Sequence, residues 1–422
     1  MSQIVEIKAR QILDSKGNPT IETEVYTNRG AAAKASVPSE LFTTDFTLKE
    51  LRDKDPGKYF GQGVSRAVSN INKLVNEELK GLYLFNQSAI DAALIELDGT
   101  GDKTNTGVNA ILSVSLAVAK AAAVSTGQSF YRYIGGVNAT TLPIPMINIL
   151  ENVSFKDKKP EIKEFMLMPV GFDQFSEAIR AGVEVNRNFL NLLNDSHIPT
   201  NIGATGGIYT EFKSNAEAFE MLIKAIEKSG YKPGEQVMLG IDANGSEYFD
   251  TAKKKYIYQK QALELSSEDL MSYWEEICQK YPVVSIEDPL HHNDWQSWQK
   301  YTEKAGDKIQ IAGDDFFGGN PERFMKAIDE NIANSIFIKP IQIGTVTEIL
   351  NLVNLAKSSM YNTIFAGSQY DTDDLSTVEL SVALNAGIIK IGAFSNADAN
   401  IKYNRLMRIE EELGSSGKYG NN

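Results

Sequence analysis

From Pro145 onward the chain repeats one pattern, a short apolar run followed by an amphipathic stretch. The runs are PMINIL, EFMLMPVG, TNIGATGG, VMLGIDANG, VVSIEDP, IQIAGDD, SIFIKP, NTIFAGS and IIKIGAF. Most are separated by segments of helical period, such as NAEAFEMLIKAIEKSG and TVTEILNLVNLAKSSM. Strands buried on both faces read as continuous apolar runs, and crossover helices bury parallel sheets in this way. The alternation therefore predicts a parallel sheet. Nine runs over this length suit a (β/α)8-type barrel with one run outside it. A doubly wound open sheet is the alternative. Neither a G-x-x-x-x-G-K-[ST] loop nor a G-x-G-x-x-G after a strand is found to support a nucleotide site.

The sequence before Pro145 has a different character. IETEVYT alternates and predicts a strand, Asp14 to Pro19 is a turn cluster, and NAILSVSLAVAKAAAVSTG predicts a tightly packed, nearly buried helix. Gly135-Gly136 and Leu142-Pro143-Ile144-Pro145 mark a boundary. The expected division is an α+β capping domain over 1–136 and a barrel over 137–422, which accords with a length of 422 residues. A formal net charge of −13 argues against nucleic-acid binding. No apolar run approaches the roughly 20 residues of a membrane span. The start, MSQIVEIKARQIL, lacks the pattern of a signal peptide. A single cysteine, Cys278, points to a reducing compartment, so a cytoplasmic location is expected. The basic run Lys156-Asp157-Lys158-Lys159 reads as a solvated loop.

Catalytic side chains of a barrel sit at the C-terminal ends of its strands. Those ends carry Asp242 in GIDANG, Glu287 in SIEDP and Asp314 in AGDD. Three carboxylates without His or Cys suit a hard cation such as Mg²⁺, although Asp also serves as a helix N-cap. Lys339 ends SIFIKP and is a candidate general base. Lys390, in IIKIGAF, is either functional or a snorkelling lysine. Glu164 is a further rim acid. His291 and His292 read as a solvated loop pair, and His197 carries no motif. One strand end stands apart. TNIGATGGIYTEF, with its glycine pair, has the shape of a loop delivering an active-site group, yet it offers only Ala204 and Thr205.

ARQILDSKGNPTIETEV, IELDGTGDKTNTGVNAILSVSLAVAKAAA, EFMLMPVG, VVSIEDP, GDDFFGGNP, QIGTVTE and IKYNRLMRIEEELG together resemble glycolytic enolase over nearly the whole chain. The resemblance implies a small capping domain on a (β/α)8-type barrel, and a homodimer or an assembly of dimers. It also implies Mg²⁺-dependent dehydration of 2-phosphoglycerate to phosphoenolpyruvate. By the same resemblance Asp242, Glu287 and Asp314 are ligands of the first magnesium. Lys339 is the base, Lys390 a substrate contact and Glu164 an active-site glutamate. A cell-surface role is known in the family, but the tail SSGKYGNN lacks a terminal lysine.

Other positions depart from the family pattern. Phe42 stands where a serine should ligate a second magnesium, so one metal site is expected. Phe155 replaces a histidine and Lys163 a glutamine. Ser368 and Gln369 stand in the motif that binds substrate phosphate, from which the arginine is lost. Thr205 replaces the glutamate that helps expel hydroxide, and Glu211 is the nearby acid that could return to that place. These replacements predict impaired or absent ordinary enolase activity. Two alternatives remain. One is a single-metal enzyme that enolises a different, non-phosphorylated carboxylate in a pocket lined by Phe42, Phe155 and Tyr370. The other is an active enolase with remodelled loops.

Overall fold

The computed structural model describes residues 2–40, 44, 46–151, 154–155 and 159–420, with residues 154, 155 and 260 described by backbone alone. Phe42 and Lys156 to Lys158 therefore lie outside the described residues, as does the side chain of Phe155.

Three antiparallel strands open the chain: β1 (Ile4–Leu13), β2 (Pro19–Thr27) and β3 (Ala32–Ser36). Asp14 closes the first turn by accepting from the amides of Lys16 (2.9 Å) and Asn18 (2.8 Å). Helix Val108–Ser125 packs on this sheet with most of its residues buried. It corrects the expectation that no apolar run approaches a membrane span, being the one described helix long and apolar enough to cross one by length and composition, but its small residues are spent on tight packing against β2 and β3.

The barrel strands are β4 (Ile144–Pro145), β5 (Ile147–Glu151), β6 (Glu164–Met168), β7 (Met238–Asp242), β8 (Val283–Glu287), β9 (Gln310–Gly313), β10 (Ser335–Ile338), β11 (Asn362–Ala366) and β12 (Ile388–Lys390). They follow one another around the sheet, and β12 pairs with β4. Since β4 and β5 are consecutive pieces of one stretch, this pairing closes the sheet on itself. TNIGATGG is the run outside the barrel. It forms a small ribbon, Asn201–Ile202 with Ile208–Tyr209, attached beside β5.

One expectation is corrected. The sheet is not wholly parallel, because β6 runs antiparallel to both β5 and β7. Its link from β5 contains no described helix, and without a crossover helix a strand returns antiparallel. The reversal brings the first residue of β6, Glu164, to the rim where the other strands end.

Side chains alternate across β6. Phe165 and Leu167 join the layer between sheet and helices, while Met166 and Met168 fill the barrel interior with Met146, Ala312, Phe337, Ile364 and Ala366. Flexible thioethers suit an irregular interior. Buried polar contacts hold the cap on the barrel. Asp374 accepts from Ser36 N (3.0 Å), Lys120 Nζ (2.6 Å) and Ser376 N (2.7 Å). Asp91 accepts from the amide (2.9 Å) and hydroxyl (2.6 Å) of Thr347.

Candidate active site

The barrel register lines up four acids on neighbouring strand ends. Glu151 faces Glu164, Glu164 faces Asp242, and Asp242 faces Glu287. All four are buried. Carboxylates this close repel one another, and the ladder is stabilised by lysine. Lys390 Nζ lies 2.7 Å from both Glu164 Oε2 and Glu287 Oε2, and 3.7 Å from Asp242 Oδ2. Its side chain is 17% exposed and its ammonium is held between two buried carboxylates, so it is a largely buried counter-ion and not a snorkelling lysine. Lys339 pairs with Asp314 on the next strand ends.

The electrostatics split these groups. Burial works to raise the Glu164 carboxyl, but the charges of Lys390 and Lys163 outweigh it and hold Glu164 below the usual range. Burial and then the charge of Asp242 push Glu287 well up. Burial opposes charge on Lys339 and Lys390. Asp314 and Glu40 overcome it at Lys339, Glu164 and Glu287 at Lys390, so both ammoniums are held above their ordinary range. Lys163 is likewise raised against burial, by Asp242 and Glu164. Glu40, on the cap segment over this rim, is pushed up to about 7 by burial, with Lys339 opposing and Asp314 adding to the rise.

The donor set at this rim is of the kind that could hold a divalent cation. Asp242, Glu287 and Asp314 supply hard oxygen donors from successive strand ends, and Asp314 Oδ1 is buried without a hydrogen-bond partner. The described trio whose possible ligand atoms all lie within 4.8 Å of one another is a different one: Asp288, Asp314 and Asp315. Asp288 is already committed. Its carboxylate accepts from the amides of Asp314 (3.1 Å), Asp315 (2.8 Å) and Phe316 (3.4 Å). It serves as a clamp that shapes the following loop, leaving Asp315 and the Oδ1 of Asp314, whose other oxygen pairs with Lys339, as the donors of that trio.

Thr205 does reach the rim. Its hydroxyl contacts Glu151 Oε2, accepts from Asn148 Nδ2 (2.5 Å) and lies 3.2 Å from Glu164 Oε1. Gly206 makes the turn at φ +88°, and a β-carbon there would stand 2.6 Å from Ser395 Oγ. Glu211 is elsewhere, exposed on a two-residue strand paired with Ser154. The Ser368 hydroxyl donates to the Ser39 carbonyl (2.9 Å), and Tyr370 bridges to Ser39 through the backbone, so this segment is tied to the cap. Gln369 lies beside it in sequence, partly exposed. His291 and His292 stack on each other, and His291 on Phe249, so they are packed and not a solvated pair.

Sequence reading missed Glu151. The signal was present, since Glu151 ends the apolar run MINIL as Asp242 ends MLGI. A register shift between Asn148 and Leu150 then aims it. Before the shift Asn148 faces Met166; after it Leu150 faces Phe165 and Glu151 faces Glu164. A bulge of one residue exchanges the faces of a strand, and here it turns Glu151 inward.

Comparison with known families divides the chain in two. Residues 4–134 match the family model described as "Enolase, N-terminal domain", and residues 139–422 match "Enolase, C-terminal TIM barrel domain".

Proposed function

Because this chain belongs to the enolase family, whose general reaction is a Mg²⁺-dependent dehydration, we propose that it keeps the proton-abstracting half of that chemistry and turns over the ordinary phosphorylated substrate poorly. The observation that carries this reading is the rim itself, where Lys339 and Lys390 are held among Asp242, Glu287, Asp314 and Glu164. A pure scaffold has no use for two lysines buried among acids, since such groups are costly to desolvate.

Asp242, Glu287 and Asp314 would hold the magnesium. When bound, it would stabilise the negative charge that develops on a substrate carboxylate as its α-proton leaves. Lys339 is the group placed to take that proton, provided the charge of a bound cation offsets the acids that hold it as an ammonium and frees its amine, and Lys390 is the one placed to orient the carboxylate. Poor turnover follows from the groups that handle phosphate and the second metal. Ser368 spends its hydroxyl on Ser39, Gln369 carries no charge, and Phe42 offers no oxygen. Losing one charge-assisted contact to a phosphate costs about 2–5 kcal/mol.

A second reading, a single-metal enzyme acting on a non-phosphorylated carboxylate, is favoured by Glu40. Its carboxyl sits in the field of both Lys339 and Asp314 and, pushed up to about 7 by burial, carries part of a negative charge at the rim near neutral pH. A dianionic phosphate tolerates that worse than a substrate carrying one carboxylate.

Phosphoenolpyruvate formation from 2-phosphoglycerate with Mg²⁺ tests the first reading. Turnover well below that of an ordinary enolase, abolished by Lys339→Ala, is expected. Ordinary turnover that vanishes in the variant would overturn the impairment. Solvent-deuterium exchange across a panel of small carboxylates tests the second reading, and silence across the panel removes it.

A further inference from the structure

Glu151 is a buried carboxyl that none of the roles above uses. It is 1% exposed, and no described cation pairs with it. Its Oε2 accepts from the amides of Thr205 (2.9 Å) and Gly207 (3.0 Å) and contacts the Thr205 hydroxyl. Its Oε1 has no hydrogen-bond partner. The fit is close, for a β-carbon on Gly203 would fall 1.9 Å from Oε1. The Thr205 hydroxyl thus bridges two carboxyls, Glu151 on one side and Glu164 on the other, with Asn148 fixing its third direction.

We propose that Glu151 and Thr205 form a two-part proton relay, in which the Thr205 hydroxyl protonates the departing hydroxyl of the substrate and Glu151 resupplies Thr205. The two carboxyls flanking the threonine differ in the way acid–base pairs do. Lysine charge keeps Glu164 ionised, whereas burial, together with the charge of Glu164, raises Glu151 despite its hydrogen bonds. Threonine alone cannot supply a proton at neutral pH, but a hydroxyl in contact with a carboxylic acid passes one on. The balance closes without a further reactant. Lys339, starting as the free amine, takes the α-proton as the C–H bond breaks. The C–O bond then breaks with its electron pair on oxygen, the Thr205 proton completes a water molecule, and the Glu151 proton moves to Thr205. Glu151 ends as a carboxylate and Lys339 as an ammonium, and exchange of one proton through solvent restores both. Thr205 is the catalytic residue here and Glu151 the positioning residue behind it. The relay rests on the dehydration reading proposed above, so its test separates the two.

The first readout needs no turnover. Infrared difference spectra of the full chain at neutral pH should show a protonated-carboxyl band that is lost in Glu151→Gln and displaced, but kept, in Thr205→Val. The second uses 2-phosphoglycerate and Mg²⁺ in deuterated water, following α-proton exchange and phosphoenolpyruvate formation together. Glu151→Gln and Thr205→Val should each keep exchange within about twofold while elimination falls about 100-fold, the low end of general-acid effects. Absence of the band in the parent protein overturns the relay. So does a Glu151→Gln variant that loses exchange and elimination in step, or neither. Exchange that survives Lys339→Ala overturns the underlying dehydration reading instead, leaving the band to decide the relay.

Discussion

Lys390 shows how a residue acts as both structure and chemistry. It neutralises Glu164 and Glu287 at 2.7 Å each, in a place where neither acid could sit charged alone. Removing one partner from a buried ionic group leaves uncompensated charge and typically costs about 3–5 kcal/mol. Lys390→Ala should therefore lower metal-free stability by about that amount, as read from urea unfolding, and Mg²⁺ should return part of it by neutralising the same acids. Asp242, Glu287, Asp314, Lys339 and Lys390 were all legible in the sequence, because each follows an apolar run and barrel strands end at the active face. Lys163 was legible only as a departure from the family pattern beside Glu164, and Glu40 was not legible as a rim group, since it sits in a loop whose course no periodicity records. Glu211 drew attention by closeness in sequence, whereas Glu151 is the acid that closeness in space selects.

At the level of elements, the most informative piece is the β5–β6 pair. Its bulge decides which side of the sheet Glu151 occupies, and bulges leave no mark in hydrophobic patterning when the neighbours are all apolar, as in INIL. The reversal of β6 was hidden for a related reason. An apolar run buried on both faces looks the same in either direction, and the clue was only the missing amphipathic stretch between Glu151 and Glu164. The loop carrying Thr205 was legible as a shape, from its glycines, but its partner was not. Gly203→Ala tests that partnership without touching a reacting group. A real β-carbon cannot sit 1.9 Å from an oxygen, so Glu151 or the loop must move. Overpacking of this kind costs about 1–3 kcal/mol. The expected outcome is a lower thermal midpoint together with displacement of the Glu151 carboxyl band, and a variant as stable as the parent would refute the close contact.

Across the whole molecule, a few buried carboxyls join the cap to the barrel. Asp374 is the clearest. It gathers Lys120 from the cap helix, the Ser36 amide from β3 and the Ser376 amide from the barrel. Burial pushes its carboxyl up, but Lys120 and the hydrogen bonds prevail and hold it below the usual range. A carboxyl depressed on folding contributes stability that is complete above its unfolded value and is lost as the pH falls through its folded value. Asp374→Asn should therefore lower stability at neutral pH and flatten the decline on acidification, measured as unfolding free energy between pH 7 and pH 3. A decline as steep as in the parent would remove Asp374 from the account. The two-domain division, the barrel and its cap were legible because composition changes at Pro145. The joints were not, since they bring together groups as distant in sequence as Ser36 and Asp374. The backward strand has a consequence for anyone who would rebuild this protein. On the other strands a graft aimed at the reaction must follow the strand. At β6 it must precede it, in the segment between Glu151 and Glu164, where both splice points already carry an acid. Sequence inserted after Met168 would emerge at the opposite mouth of the barrel and leave the chemistry untouched.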